Sequence, residues 1–230
     1  MRIEARSCDW VLVVEMTPTV LEDIVKPNVF GGRDVFLVLV LSLCAMGLPP
    51  SSSIAAEQSK FVVTPLAEKK VAELPAGELY WQVENFPTRA EAEAAAGPTS
   101  LVAEAEGKVW LFTLGSKGAA TGGGTKVVEI GPQPRIKAPS YLLRINGAIA
   151  PPGAKTTVHT HPGPEAFYVL SGELTQKTPE GVIIIEAGGT KPGKPDTPME
   201  VSSSGATDLH ELIMFFVDAT RPFSSPATLN

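Results

Sequence analysis

Short stretches of strand length, some alternating between apolar and polar side chains and others continuously apolar, recur along the chain from residue 61 onward. Successive side chains of a strand point to opposite faces, so this alternation predicts half-buried β-strands. The runs are Phe61-Val62-Val63, Leu79 to Val83, Leu101 to Ala105, Val109 to Leu114, Lys126 to Ile130 and Tyr141 to Ile149. Beyond them come Thr156 to His161, the run opened by Glu165, Glu173 to Thr175, Gly181 to Glu186, Asp196 to Ser203 and Leu209 to Val217. Helical spacing is confined to one short Ala/Glu segment. It opens at Thr88-Arg89-Ala90-Glu91, a capping box in which hydroxyl and carboxylate satisfy each other's free backbone N–H groups, and stops at Gly97-Pro98. The pattern predicts an all-β protein with a mixed α/β segment ahead of its main body.

The breaks between runs carry turn chemistry. Glu106-Gly107-Lys108 predicts a hairpin between its flanking strands, and Gly188-Gly189 a turn. Gly115 to Gly124 (GSKGAATGGG) invites comparison with a phosphate-binding loop. It lacks the Lys-Ser/Thr that must follow the last glycine, so it reads as a flexible surface loop. Gly131 to Pro139 reads as a linker or edge loop. If Asp196 to Ser203 and Leu209 to Val217 pair through a turn at Ser204 to Thr207, Val201 falls opposite His210.

Residues 35–48 (VFLVLVLSLCAMGL) break the alternation with an uninterrupted apolar run. A helix of that length spans roughly 21 Å, short of a hydrocarbon core of about 30 Å, but right for the apolar centre of a signal peptide. Arg33 precedes it and Pro49 to Ala56, rich in proline and small residues, follows. Residues 1–56 therefore read as a leader cleaved near Ala55 or Ala56, giving a secreted or periplasmic protein with no stable membrane span after cleavage. The long stretch before the apolar run suggests that translation starts near Val29, which N-terminal sequencing from the native host would check.

Both cysteines, Cys8 and Cys44, lie in that leader, so the processed chain would have neither disulfides nor thiol chemistry. The net charge of −6 and the absence of any basic cluster argue against nucleic acid as a partner, since nothing would neutralise phosphates. With 21 glycines and 21 prolines, the composition suits many short strands joined by tight turns.

Chemistry concentrates in Gly153 to Gly172 (GAKTTVHTHPGPEAFYVLSG). In a strand His159 and His161 face one way together. Pro162-Gly163-Pro164 ends that strand and turns the chain, and Glu165 opens the return strand beside the imidazoles. Two neutral imidazoles and a carboxylate make three ligands on one face of a divalent first-row metal, with the opposite positions open. Glycine, five residues, His-x-His, three residues, Glu, six residues and glycine is also the spacing of the first motif of the cupin superfamily, which the chain resembles over these residues. The second cupin motif, counted from Gly188, places Lys194, Asp196, Met199 and Ser203 where Pro, Gly, His and Asn are expected. The resemblance is thus to a small cupin-2-type protein with its first motif intact and its second degraded.

That resemblance implies a double-stranded β-helix (jelly-roll) barrel over residues 138–224, an N-terminal extension over 57–137, a tail at 225–230, and a homodimer as in many cupins. It implies a divalent transition metal, Fe, Mn, Zn, Ni or Cu, held by His159, His161 and Glu165. Met199 and His210 are the two candidates for a fourth ligand, with packing the expected role of Met199 and the flanking Asp208 and Glu211 placing His210 at the surface. If Glu165 points inward, so do Phe167 and Val169, giving a partly apolar pocket for a small organic molecule. Three functions fit: an exported metal-dependent oxygenase, a non-catalytic small-ligand module, and a metal-assisted isomerase or lyase. The last lacks a second acid or base of clear identity.

Overall fold

In the computed structural model, which describes residues 60–229, the leader with its apolar run lies outside the described residues. The chain runs through β1 (Val62–Val71), β2 (Leu79–Phe86), a helix α1 (Arg89–Ala95), β3 (Ser100–Ala105), β4 (Lys108–Gly115) and β5 (Thr125–Gln133). It continues through β6 (Tyr141–Ala150), β7 (His159–Thr160), β8 (Glu165–Ser171), β9 (Glu173–Thr178) and β10 (Gly181–Glu186). Last come β11 (Thr190–Pro192), β12 (Glu200–Ser203), β13 (Leu209–Asp218) and β14 (Ser225–Pro226). Helix α1 begins as its capping box predicts: Thr88 Oγ1 accepts from the Glu91 N–H and the Glu91 carboxylate accepts from the Thr88 N–H. The β3–β4 hairpin closes through Glu106 and Gly107, both at positive φ, which matches the twist of paired strands.

Three layers result. A five-stranded sheet in the order β1-β6-β13-β8-β11 faces a three-stranded sheet, β10-β9-β12, across the interior of a jelly-roll barrel. Its outer face packs against a four-stranded sheet, β3-β4-β2-β5. All pairings are antiparallel. The large sheet is therefore buried on both faces. Ala148, Phe167, Val169, Ile213 and Phe215 point into the barrel, while Leu143, Ile145, Ala166, Leu212, Met214 and Phe216 meet Trp81, Trp110 and Phe112 of the outer sheet. This explains why β13 reads as an almost continuous apolar run.

Three expectations need correction. β12 pairs with β9, and β13 lies between β6 and β8, so no β12–β13 hairpin exists and Val201 sits opposite Gln176. The turn at 204–207 carries the chain from one sheet to the other instead of folding it back. Of Thr156 to His161 only His159–Thr160 is a strand, paired with β14, while Lys155 and His159 make isolated bridges to Ser202 and Met199. β1, from the N-terminal extension, completes the barrel's own sheet, and β14 straps β7. The glycine-rich loop is tethered: Gly118 N donates to the Glu129 carboxylate at 2.6 Å, and Thr121 N and Oγ1 donate to buried Glu84. Among the described residues no helix is long and apolar enough to cross a membrane.

Candidate functional site

The register of the large sheet sets the inner wall of the barrel row by row. Glu165 on β8 lies opposite Phe215 on β13; Phe167 lies opposite Ile213 and then Asn146 on β6; Val169 lies opposite Glu211 and then Ala148. A cavity of about 250 Å³ opens on this wall, lined among others by His159, His161, Glu165, Phe167, Glu211 and Phe223.

His159 and His161 meet edge to face, with ring centroids 5.0 Å apart. Nδ1 of His159 lies 2.8 Å from the Thr157 carbonyl and Nδ1 of His161 lies 2.7 Å from the Phe223 carbonyl. A carbonyl can only accept, so each Nδ1 carries the proton and each Nε2 keeps its lone pair. That is the tautomer in which a histidine ligates metal through Nε2, oriented by a carbonyl behind it. Phe215 and Phe223 stack at 4.9 and 4.8 Å from the His161 ring, and this burial pushes the His161 pKa down to about 4.

Glu165 is buried, and burial raises its pKa to about 8. Its Oε2 lies 3.9 Å from His161 Nε2. With histidine pushed down and carboxyl pushed up, the two are neutral together near pH 7 rather than an ion pair. Gln176 on β9 fixes Glu165 from the far side, donating from Nε2 to Oε1 at 3.2 Å and approaching Met199 Sδ at 3.4 Å. Gly193 brings its backbone N–H within 2.7 Å of the Glu165 carbonyl, where a Cβ would crowd the Glu165 side chain.

The residues expected to form the site divide clearly. His159, His161, Glu165 and Phe167 line one cavity; Val169 is buried in the same cluster but does not line it. Met199 packs in the barrel core and borders a separate cavity of about 190 Å³. His210 lies outside: its Nδ1 is 2.9 Å from the Glu106 carboxylate. Asp196, standing where the second motif has glycine, adopts φ 53°, so the backbone keeps the left-handed turn although the residue has changed. Sequence reasoning passed over Glu211, Asn146, Gln176 and Phe223. Glu211 falls on the inward alternation of Ile213, Phe215 and Val217 along β13, but its polar neighbours give it the look of a surface position; the bulge here leaves its extra residue, Leu170, on β8.

In donor type, tautomer and neutral histidine, the site fits a divalent transition metal. The side chains are not gathered around a single point: among the described residues no group of three His, Cys, Asp or Glu side chains is placed to hold a metal ion.

Residues 148–209 match the family described as "Cupin domain". That match, together with the jelly-roll barrel that holds these residues, supports a cupin superfamily protein. No curated protein matches the chain. Among solved structures it is similar to DMSP lyase DddQ from Ruegeria pomeroyi at 16% identity, over 37% of this chain and 43% of the lyase, with a TM-score of 0.34. The chain thus spans less than half of that lyase's length. It is also similar to a cupin-like protein from Thermotoga maritima (16% identity, 38% of this chain and 65% of that one, TM-score 0.34). A third is the polyketide cyclase RemF from Streptomyces resistomycificus (17%, 38% and 62%, TM-score 0.33).

Proposed function

We propose that this cupin holds a divalent first-row transition metal through His159, His161 and Glu165 and takes a small organic molecule into the cavity beside them. The observation that carries the reading is the pair of imidazoles, each with Nδ1 on a backbone carbonyl, next to a buried carboxyl that accepts a hydrogen bond from Gln176. A carboxyl among phenylalanines is costly to ionise, and a cation beside it reverses that cost. When bound, such a metal supplies a Lewis acid with open coordination positions.

The chain's own residues do the rest. The Thr157 and Phe223 carbonyls hold the two rings in the ligating tautomer, and Gln176 holds the carboxylate. Phe215 and Phe223 keep water from the inner side of His161. Phe167, Ile213 and Phe215 offer an apolar wall to the organic part of the ligand. With His210 elsewhere and Met199 in the core, further coordination positions fall to water or ligand.

Protein purified without an affinity metal column should contain about one transition-metal ion per chain, and the His159→Ala/His161→Ala double variant should contain almost none. Folded protein that takes up none of iron, manganese, zinc, nickel or copper contradicts the proposal. With metal present, oxygen consumption on turnover marks an oxygenase, and unchanged oxygen marks isomerase or lyase chemistry or simple binding.

A further inference from the structure

The same cavity has a second polar feature that the metal ligands do not use. Glu211 is 2% exposed and neither carboxyl oxygen has a protein hydrogen-bond partner; Asn146, 4% exposed, has an unpartnered Oδ1. Both side chains line the cavity. On the register of the sheet they occupy neighbouring inward rows, Asn146 with Ile213 and Phe167, Glu211 with Ala148 and Val169, while Glu165 begins the row beyond Phe167. The cavity therefore carries three unpartnered oxygen atoms set back from the histidines, all of them acceptors once Glu211 is ionised.

Each buried polar atom without a partner is destabilising, and folded proteins keep few of them. Three in one cavity point to donors that arrive from outside the fold. Charge narrows the choice. The cavity is lined by two carboxyls, Glu165 and Glu211, and by no lysine or arginine. Burial together with the nearby Glu165 holds the Glu211 pKa well above the ordinary range, so a cation is the partner that would relieve it.

We propose that Glu211 and Asn146 recognise the ammonium group of a small primary amine. Three N–H donors meet three acceptors, and the positive charge offsets the Glu211 carboxylate. The carbon skeleton lies along Phe167, Ile213 and Phe215, and the two phenylalanine rings also favour a nearby cation. A volume of about 250 Å³ is that of about eight waters at roughly 30 Å³ each, so the amine is small. This inference rests on the reading that the cavity takes a small organic molecule, and it does not require the metal.

The test is calorimetric titration of the purified full chain with butylammonium and benzylammonium, with butanol and butyrate as neutral and anionic counterparts. Saturable binding of the ammonium probes, no binding of butyrate, and a loss of at least tenfold in ammonium affinity on Glu211→Gln are expected. Asn146→Ala should weaken the same probes, and it serves as the test variant if Glu211→Gln does not fold. Butyrate binding as tightly as butylammonium, absence of ammonium binding, or undiminished binding to the variants overturns the proposal. Butanol binding as tightly as butylammonium overturns it in favour of a hydroxyl ligand. Protein stripped of metal by chelation should retain ammonium binding, so a metal-free protein that still binds amines separates the two readings.

Discussion

Buried ionisable side chains dominate the residue scale, and their shifts have a direction in pH. Glu165 and Glu211 are raised in the folded protein. The folded state then holds protons that the unfolded state has released, so each stabilises fully below the unfolded carboxyl range and loses that contribution as pH rises toward the folded value, about 8 for Glu165. His161, lowered to about 4, acts oppositely, adding stability as pH rises from about 4 to the ordinary histidine value near 6.5. Between about pH 6.5 and 8 only the carboxyls operate. Metal-free protein should therefore lose stability across that window, by up to about 1.4 kcal/mol per pH unit from Glu165, with Glu211 acting in the same direction. Denaturant unfolding at a series of pH values checks this; Glu165→Gln should flatten the slope, and stability constant or rising over the window contradicts it.

At the scale of elements, the motif's glycines have separate structural tasks. Gly172 sits at φ +75° between β8 and β9, and a Cβ there would lie 2.6 Å from the Asp208 carbonyl oxygen. Gly172→Ala should cost at least about 1–3 kcal/mol through backbone strain and collision, seen as a lowered melting temperature. An unchanged melting temperature would show that the β8–β9 turn can move away. Gly163 is confined in the same manner by the Phe216 carbonyl. The sequence made most strands legible because alternation and turn residues are local signals. What escaped it was pairing across distance. Nothing near Val201 announces that Gln176 rather than His210 lies opposite, and nothing near Thr156 shows that β7 is only two residues long and held by β14. Glu211, close to His210 and Asp208, has the composition of a solvent-facing stretch, yet it lies two residues before Ile213 on the inward face of β13. His159, His161, Glu165 and Phe167 were legible because i, i+2 spacing and a Pro-Gly-Pro turn fix their relation without long-range information.

For the whole molecule, the segment ahead of the barrel is part of its architecture. β1 completes an edge of the large sheet, Phe61 and Val63 line the cavity, and the β2–β5 sheet covers the sheet's outer face. A fragment of residues 138–229 would expose Leu143, Ile145, Leu212, Met214 and Phe216 together, a patch of the kind that drives aggregation. Such a fragment should fail to give a cooperative unfolding transition, whereas protein retaining residues 57–137 should give one. A cooperative, monomeric fragment would show the barrel to be independent of its outer layer.

The central claim is that His159, His161 and Glu165 share a metal ion. Anomalous diffraction at the metal's absorption edge, on crystals of metal-loaded protein, tests it directly. The account predicts one strong peak about 2.0–2.2 Å from Nε2 of His159, Nε2 of His161 and a carboxyl oxygen of Glu165. A peak elsewhere in the chain, or none at these three side chains under saturating metal, would contradict it.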